Sequence, residues 1–143
     1  MLEDGSVYEG TARGDFKETA CEIVFNTSMT GYVEILTDPS YAGQGVVMTY
    51  PMIGNYGISR EDFESERLQP SAFIVHELSS DPSNFRCTDT IENLLKEYNI
   101  PCISGVDTRA VVKKLRESGT MRGVLTSDIG DRERLMEIGR AHV

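Results

Sequence analysis

The chain is poor in the residues on which most site chemistry depends. Only two histidines occur, His76 and His142, the latter one residue from the end, so a histidine-based metal or catalytic cluster has little to draw on. The three cysteines, Cys21, Cys87 and Cys102, are an odd number without Cys-x-x-Cys spacing. That suggests neither a disulfide framework nor a zinc site and leaves reduced thiols as the simple reading. Basic residues are outnumbered 14 to 23 by acidic ones, for a formal charge of -9, which repels phosphate backbones and anionic membrane surfaces and argues against both as partners. No apolar run approaches the roughly 20 residues that span a bilayer. The opening Met1-Leu2-Glu3-Asp4-Gly5 has neither the basic nor the apolar region of a signal peptide, so a cytoplasmic protein is expected.

What is present suffices for one domain: 143 residues, 39% of them hydrophobic, can close a sizeable core. Strand-like runs dominate the first half at Ser6-Val7-Tyr8-Glu9-Gly10, Cys21-Glu22-Ile23-Val24-Phe25 and Val46-Val47-Met48, and again at Ala72-Phe73-Ile74-Val75-His76-Glu77-Leu78. Proline and two glycines in Pro51-Met52-Ile53-Gly54-Asn55-Tyr56-Gly57 make a loop, and the acidic residues 60–67 read as a solvated connection. Helical periodicity is confined to the second half. Ile91, Leu94, Leu95 and Tyr98 fall at i, i+3, i+4 and i+7. A second helix is predicted over 108–118, capped by Asp107 or Thr108, with Val111, Val112 and Leu115 inward and Gly119 as its stop. Short strands are predicted within 100–106 and 123–127. A third helix begins at Asp131, but its apolar Leu135, Met136 and Ile138 have no following partner, so the chain is expected to be cut there, as is a first strand near Leu2. The class is mixed α/β, strand-rich first, with helices forming one layer.

The stretch Asn26-Thr27-Ser28-Met29-Thr30-Gly31-Tyr32, continuing to Tyr41, stands out because small hydroxyl residues, a glycine and a turn tetrapeptide lie between two apolar runs. It reads as a structured loop that presents side chains at the ends of rigid elements. Asp38-Pro39-Ser40-Tyr41 has the residues a type I turn favours, proline presetting φ and Asp bonding the backbone ahead, with Ser40 at the tip.

Other candidates have ordinary readings. His76 lies in a strand-like run, and nucleophilic catalysis needs a base within reach and a group to orient it. Cys21 and Cys102 read as small core residues; Cys87 follows Arg86 in a loop, a setting that can lower a thiol pKa. Glu61 to Glu66 could suit a hard cation but read as a solvated face. Gly54 and Gly57 lack the spacing of a phosphate-binding fingerprint. Asp107-Thr108-Arg109 could present an anion site, with Asp107 as a plain N-cap the simpler account.

Leu2-Glu3-Asp4-Gly5, the run from Val24 through Asn26-Thr27-Ser28-Met29-Thr30-Gly31-Tyr32, Glu34-Ile35-Leu36-Thr37-Asp38-Pro39-Ser40-Tyr41, Thr49-Tyr50-Pro51 with Ile53-Gly54-Asn55, and Asp107-Thr108-Arg109 together resemble the small, glutamine-hydrolysing subunit of carbamoyl phosphate synthetase, over nearly the whole chain and in its N-terminal domain only. The resemblance implies a layered β/β/α domain of the swivelling type, packed beside a class I glutamine amidotransferase domain with a Cys-His-Glu triad that residues 1–143 do not contain. In that family the triad cysteine attacks the glutamine amide, and ammonia passes to the large subunit, which uses ATP, magnesium and bicarbonate. No cysteine here sits in the family's nucleophile motif, so no catalytic residue carries over, no metal or cofactor is implied for this chain, and the fragment alone is expected to be inactive. One binding residue carries over: the serine of the Asp-Pro-Ser-Tyr turn, Ser40, which reaches toward glutamine in the neighbouring domain. The implied partners are the large subunit and glutamine, and the implied pathways are arginine and pyrimidine synthesis. His76 departs from the family, which usually has arginine after this strand. The competing class is a stand-alone binding module, and the sequence beyond Val143 separates the two.

Overall fold

The computed structural model describes residues 1–28, 32–49, 52–53, 68–78 and 91–127. Six strands form the main sheet: β1 (Thr11–Gly14), β2 (Thr19–Asn26), β3 (Gln44–Met48), β5 (Ala72–Ile74), β7 (Pro101–Ser104) and β8 (Met121–Leu125), while β4 (Met52–Ile53) and β6 (Glu77–Leu78) pair separately. The spatial order is β1-β7-β5-β3-β2-β8. The central four strands are parallel, and both edge strands run antiparallel to their neighbours. The class is mixed α/β with strands concentrated early, as the sequence predicts.

Successive parallel strands step in one direction, β2 to β3 to β5 to β7, so right-handed crossovers put their connecting helices on one face. Helices α1 (Tyr32–Thr37) and α2 (Ile91–Glu97) obey this. Ile35, Leu36, Ile91, Leu94 and Leu95 share one core cluster with Val46, Met48, Phe73 and Val75. Helix α3 (Thr108–Ser118) instead carries the chain back to the far edge at β8 and packs on the opposite face, where Val111, Val112 and Leu115 meet Ile23, Val47, Ala72 and Ile74. Alternation along β3 and β5 supplies both clusters, because successive side chains in a strand point to opposite faces. The helices are thus divided between two faces rather than gathered in one layer.

Local chemistry accounts for several boundaries. Asn99 takes a left-handed φ of 59° after α2; Ile100 N donates to Leu95 O at 2.8 Å and Asn99 N to Lys96 O at 3.2 Å, the bond pair of a Schellman stop. At Gly45 a β-carbon would come within 2.8 Å of Cys21 Sγ and 2.9 Å of Ile23 Cδ1, so the close fit of β3 against β2 requires glycine there.

Three sequence expectations are corrected. The first strand is Thr11–Gly14 rather than residues 6–10. The neighbouring strand β7 ends at Ser104, opposite Thr11, and the chain turns away at Gly105, φ 79°, leaving residues 6–10 no strand to pair with. The run from Ala72 to Leu78 is two strands, with Val75 and His76 between them bonded to the end of β7 and the turn after it: Val75 N donates to Ile103 O at 3.0 Å and Gly105 N to His76 O at 2.7 Å. The stretch from 26 to 41 contains a helix, α1, so helices are not confined to the second half. Near Leu2, where a strand is expected to be cut short, Leu2 bridges Gly123 and Glu3 N donates to Arg122 O at 2.9 Å, which covers part of the outer edge of β8. The predicted loop at 54–57, the acidic connection and the helix from Asp131 lie outside the described residues.

Candidate functional site

The turn that presents Ser40 is built by its neighbours. Asp38 caps a single 3-10 turn, Pro39–Tyr41: its Oδ1 accepts from Ser40 N at 2.9 Å, and its carbonyl accepts from Tyr41 N at 3.1 Å. A further bond, Ala42 N to Pro39 O at 3.1 Å, extends the predicted type I turn into a 3-10 turn. Proline fits the first position because it needs no amide hydrogen there and its φ is already near the required value. The turn's geometry therefore uses the Asp38 carboxylate and the Ser40 amide, and leaves the Ser40 hydroxyl outward. Ser40 is exposed, and among the described residues no hydrogen bond engages its Oγ.

Two residues hold this turn to the body of the domain. Tyr41 packs its ring against the core cluster under α1 and α2, and its hydroxyl accepts from Asn26 Nδ2 at 2.9 Å. Asn26, the last residue of β2, also accepts from Ser28 N at its Oδ1 (2.8 Å) and from Thr49 N at its carbonyl (3.1 Å). One asparagine thus ties together the end of β2, the following chain, the residue after β3 and the serine turn. The bracing role of Asn26 and Tyr41 is not among the sequence expectations. The available signal was an amide residue ending an apolar run, since Asn readily bonds nearby backbone.

Helix α1 fixes the turn from the other side. Leu36 is fully buried, its carbonyl accepts from Gln69 N at 2.8 Å, and Asp38 N donates to Ile35 O at 3.3 Å. Thr37, also buried, donates its hydroxyl to Glu34 O at 3.4 Å. Ser40 is consequently an exposed hydroxyl on an anchored support.

The other candidates fall elsewhere. Cys21 and Cys102 are buried on opposite faces of the sheet. Burial pushes the Cys21 thiol up to about 12, against smaller opposing contributions from the Gly45 backbone and the terminal ammonium. A thiol so placed stays protonated near neutral pH and is a poor nucleophile. His76 is exposed, with Nδ1 3.1 Å from Val106 O, and joins no described cysteine or serine. Asp107 is the N-cap of α3, accepting from Ala110 N at 3.2 Å. Cys87, Gly54, Gly57 and the acids from Glu61 to Glu66 lie outside the described residues. Among the described residues no three His, Cys, Asp or Glu side chains gather where they could hold a metal ion, and no helix is long and apolar enough to cross a membrane.

Fold and site together define a mixed α/β domain that displays an anchored turn hydroxyl and, within its described residues, assembles no nucleophile with a base. Residues 1–125 match the family model described as carbamoyl-phosphate synthase small chain, CPSase domain, and the chain belongs to that family. The carbamoyl phosphate synthase small chain of Caldanaerobacter subterraneus subsp. tengcongensis is 55% identical over 125 residues, 87% of this chain and 35% of that protein. Its counterpart from Fusobacterium nucleatum is 54% identical over 89% of this chain and 36% of the relative. That of Archaeoglobus fulgidus is 52% identical over 94% of this chain and 38% of the relative. The chain therefore spans little more than a third of the length of these curated relatives.

Proposed function

We propose that this chain is the N-terminal part of the glutamine-hydrolysing subunit of a carbamoyl phosphate synthetase, supplying half of a glutamine site whose nucleophile lies in a following amidotransferase domain. The observation that carries the reading is the family match across residues 1–125. The hydroxyl of Ser40, exposed and unengaged among the described residues, supports it, since a hydroxyl can both donate and accept and so suits the charged ends of an amino acid. In this reading the complete subunit hydrolyses glutamine and passes ammonia to a large subunit. ATP and magnesium serve the large subunit, and the complex works in the cytoplasm for arginine and pyrimidine synthesis.

The test uses the complete subunit assembled with its large subunit. Ser40→Ala is expected to raise the KM for glutamine about 2- to 10-fold, the worth of one hydrogen bond of ~0.5–1.5 kcal/mol, while synthesis driven by added ammonia is unchanged. Unaltered glutamine kinetics would remove Ser40 from the site. Glutaminase activity in the isolated 143-residue chain would show that the nucleophile lies within it and overturn the division of labour.

A further inference from the structure

Helix α3 carries Arg109, Lys113, Lys114 and Arg116 against one acid, Glu117, in a chain whose formal charge is -9. With Thr108, Val111, Val112 and Leu115 turned into the protein, the helical period puts Arg109, Lys113 and Arg116, at i, i+4 and i+7, along one flank. All three are exposed. Lys114 projects from the other flank and is paired with Asp4 at 3.1 Å.

Favourable contact with the helix dipole is the ordinary reason for cations near a helix C-terminus. It covers Arg116, in the last turn, but not Lys113 in the middle of the helix. It does not cover Arg109, which sits in the first turn, where the dipole's positive end disfavours a cation and the Asp107 N-cap carboxylate is bonded to Ala110 N. Nor does it explain how Arg116 is held: its Cζ lies 5.4 Å from the ring centroid of Phe25, a half-buried residue of β2 that packs on the core under α3. A guanidinium resting on a ring has surrendered much of its freedom in advance and still offers its N–H fork to a carboxylate. Among the described residues no carboxylate pairs with Arg109, Lys113 or Arg116.

We infer that Arg109, Lys113 and Arg116, with Phe25 as platform, form a docking surface for an acidic patch on a protein partner. Resting on the proposed function, that partner is the synthetase large subunit. Charge complementarity favours an acidic occupant: the flank is locally basic on an otherwise acidic domain, so it selects acidic surface while the rest of the domain repels it, which fixes orientation as well as attraction. Arginine is also among the residue types enriched where binding energy concentrates at an interface.

The complete small subunit carrying Arg109→Glu, Lys113→Glu and Arg116→Glu together tests this against purified large subunit at low and high salt. Affinity at low salt is expected to fall on the order of tenfold or more, and the salt dependence of the unaltered subunit is expected to flatten in the variant. Phe25→Leu, which keeps apolar bulk but removes the platform, should weaken binding less, and Lys114→Ala on the opposite flank should leave it unchanged. If the triple variant misfolds, Lys113→Glu alone carries the same expectation at smaller size. An affinity within about twofold of the unaltered subunit at low salt would overturn the inference, as would an equal loss from Lys114→Ala. Failure of the unaltered subunit to bind the large subunit at all would instead overturn the proposed function.

Discussion

Helices α1 and α3 both follow parallel strands of the same sheet, yet different forces hold them. Helix α3 has eleven residues, an Asp107 cap, an amphipathic face and a glycine at its end with φ 78°. Its limits are written in its own residues. Helix α1 has six, fewer than two turns and far below the ~12–15 residues at which an isolated helix becomes even marginal in water. Its helicity depends on what surrounds it: Ile35 and Leu36 pressed into the core and Gln69 N bonded to the Leu36 carbonyl. The segment that places the serine turn is therefore the one most dependent on the rest of the domain. Damage to the core below α1 should be transmitted to Ser40, whereas damage to α3 should stay on the opposite face.

The largest effect expected from that contrast is at Leu36, which is fully buried among Phe73, Leu94 and Leu95. Leu36→Ala should destabilise the domain by ~2–5 kcal/mol through lost burial and a residual cavity, measured by urea denaturation of the chain. A loss below about 1 kcal/mol, as at an exposed site, would mean that α1 is held by local interactions after all and would remove the distinction. The corresponding test of α3 is smaller. Asp107→Ala deletes a capping bond to Ala110 N and should cost about 1 kcal/mol, within the range of ~0.5–2 for such caps, with the hydrogen exchange of Ser40 and Tyr41 amides unaffected. Faster exchange at those two amides in Asp107→Ala, beyond that due to the global loss, would show that the two helices are not independent.

The same contrast explains which features could be read from sequence. Helices α2 and α3 and strands β2, β3, β7 and β8 were legible because each repeats its own pattern over enough residues: Ile91, Leu94 and Leu95 at helical spacing, Cys21 and Ile23 alternating toward one core. The cap at Asp107 and the turn at Asp38 were legible because their chemistry is local. Helix α1 was not, since two inward residues, Ile35 and Leu36, in a six-residue segment give no period to detect. The strand limits at Thr11 and Ile74 were missed for the complementary reason: they are set by where a neighbouring strand ends, which is information held some thirty to ninety residues away. At the site, the outward position of Ser40 followed from the turn tetrapeptide, but its bracing by Asn26 and Tyr41 joins residues fifteen positions apart and emerges only once α1 is folded between them.

The smallest effect tests how far α3 also depends on long-range contact, through the ion pair that ties it to the opening turn. Lys114 Nζ lies 3.1 Å from Asp4 Oδ2, and Ser6 N donates to Asp4 Oδ1 at 2.9 Å. Burial pushes the Asp4 carboxyl up, but the Ser6 amide and hydroxyl and the Lys114 ammonium together outweigh it and hold the group below its ordinary value. A carboxylate whose folded pKa lies below its unfolded one contributes stability that is full above the unfolded value, near pH 4, and fades as pH falls through the folded value. Both side chains are partly exposed, so solvent screening keeps the pair's contribution small. Asp4→Asn should accordingly lower stability slightly at pH 7, and the difference from the unaltered chain should shrink to nothing in denaturation measured well below pH 4. A difference that instead persisted at acid pH would trace the effect to the Ser6 hydrogen bonds, which an asparagine amide can only partly replace, and would leave α3 held by its cap and its apolar face alone.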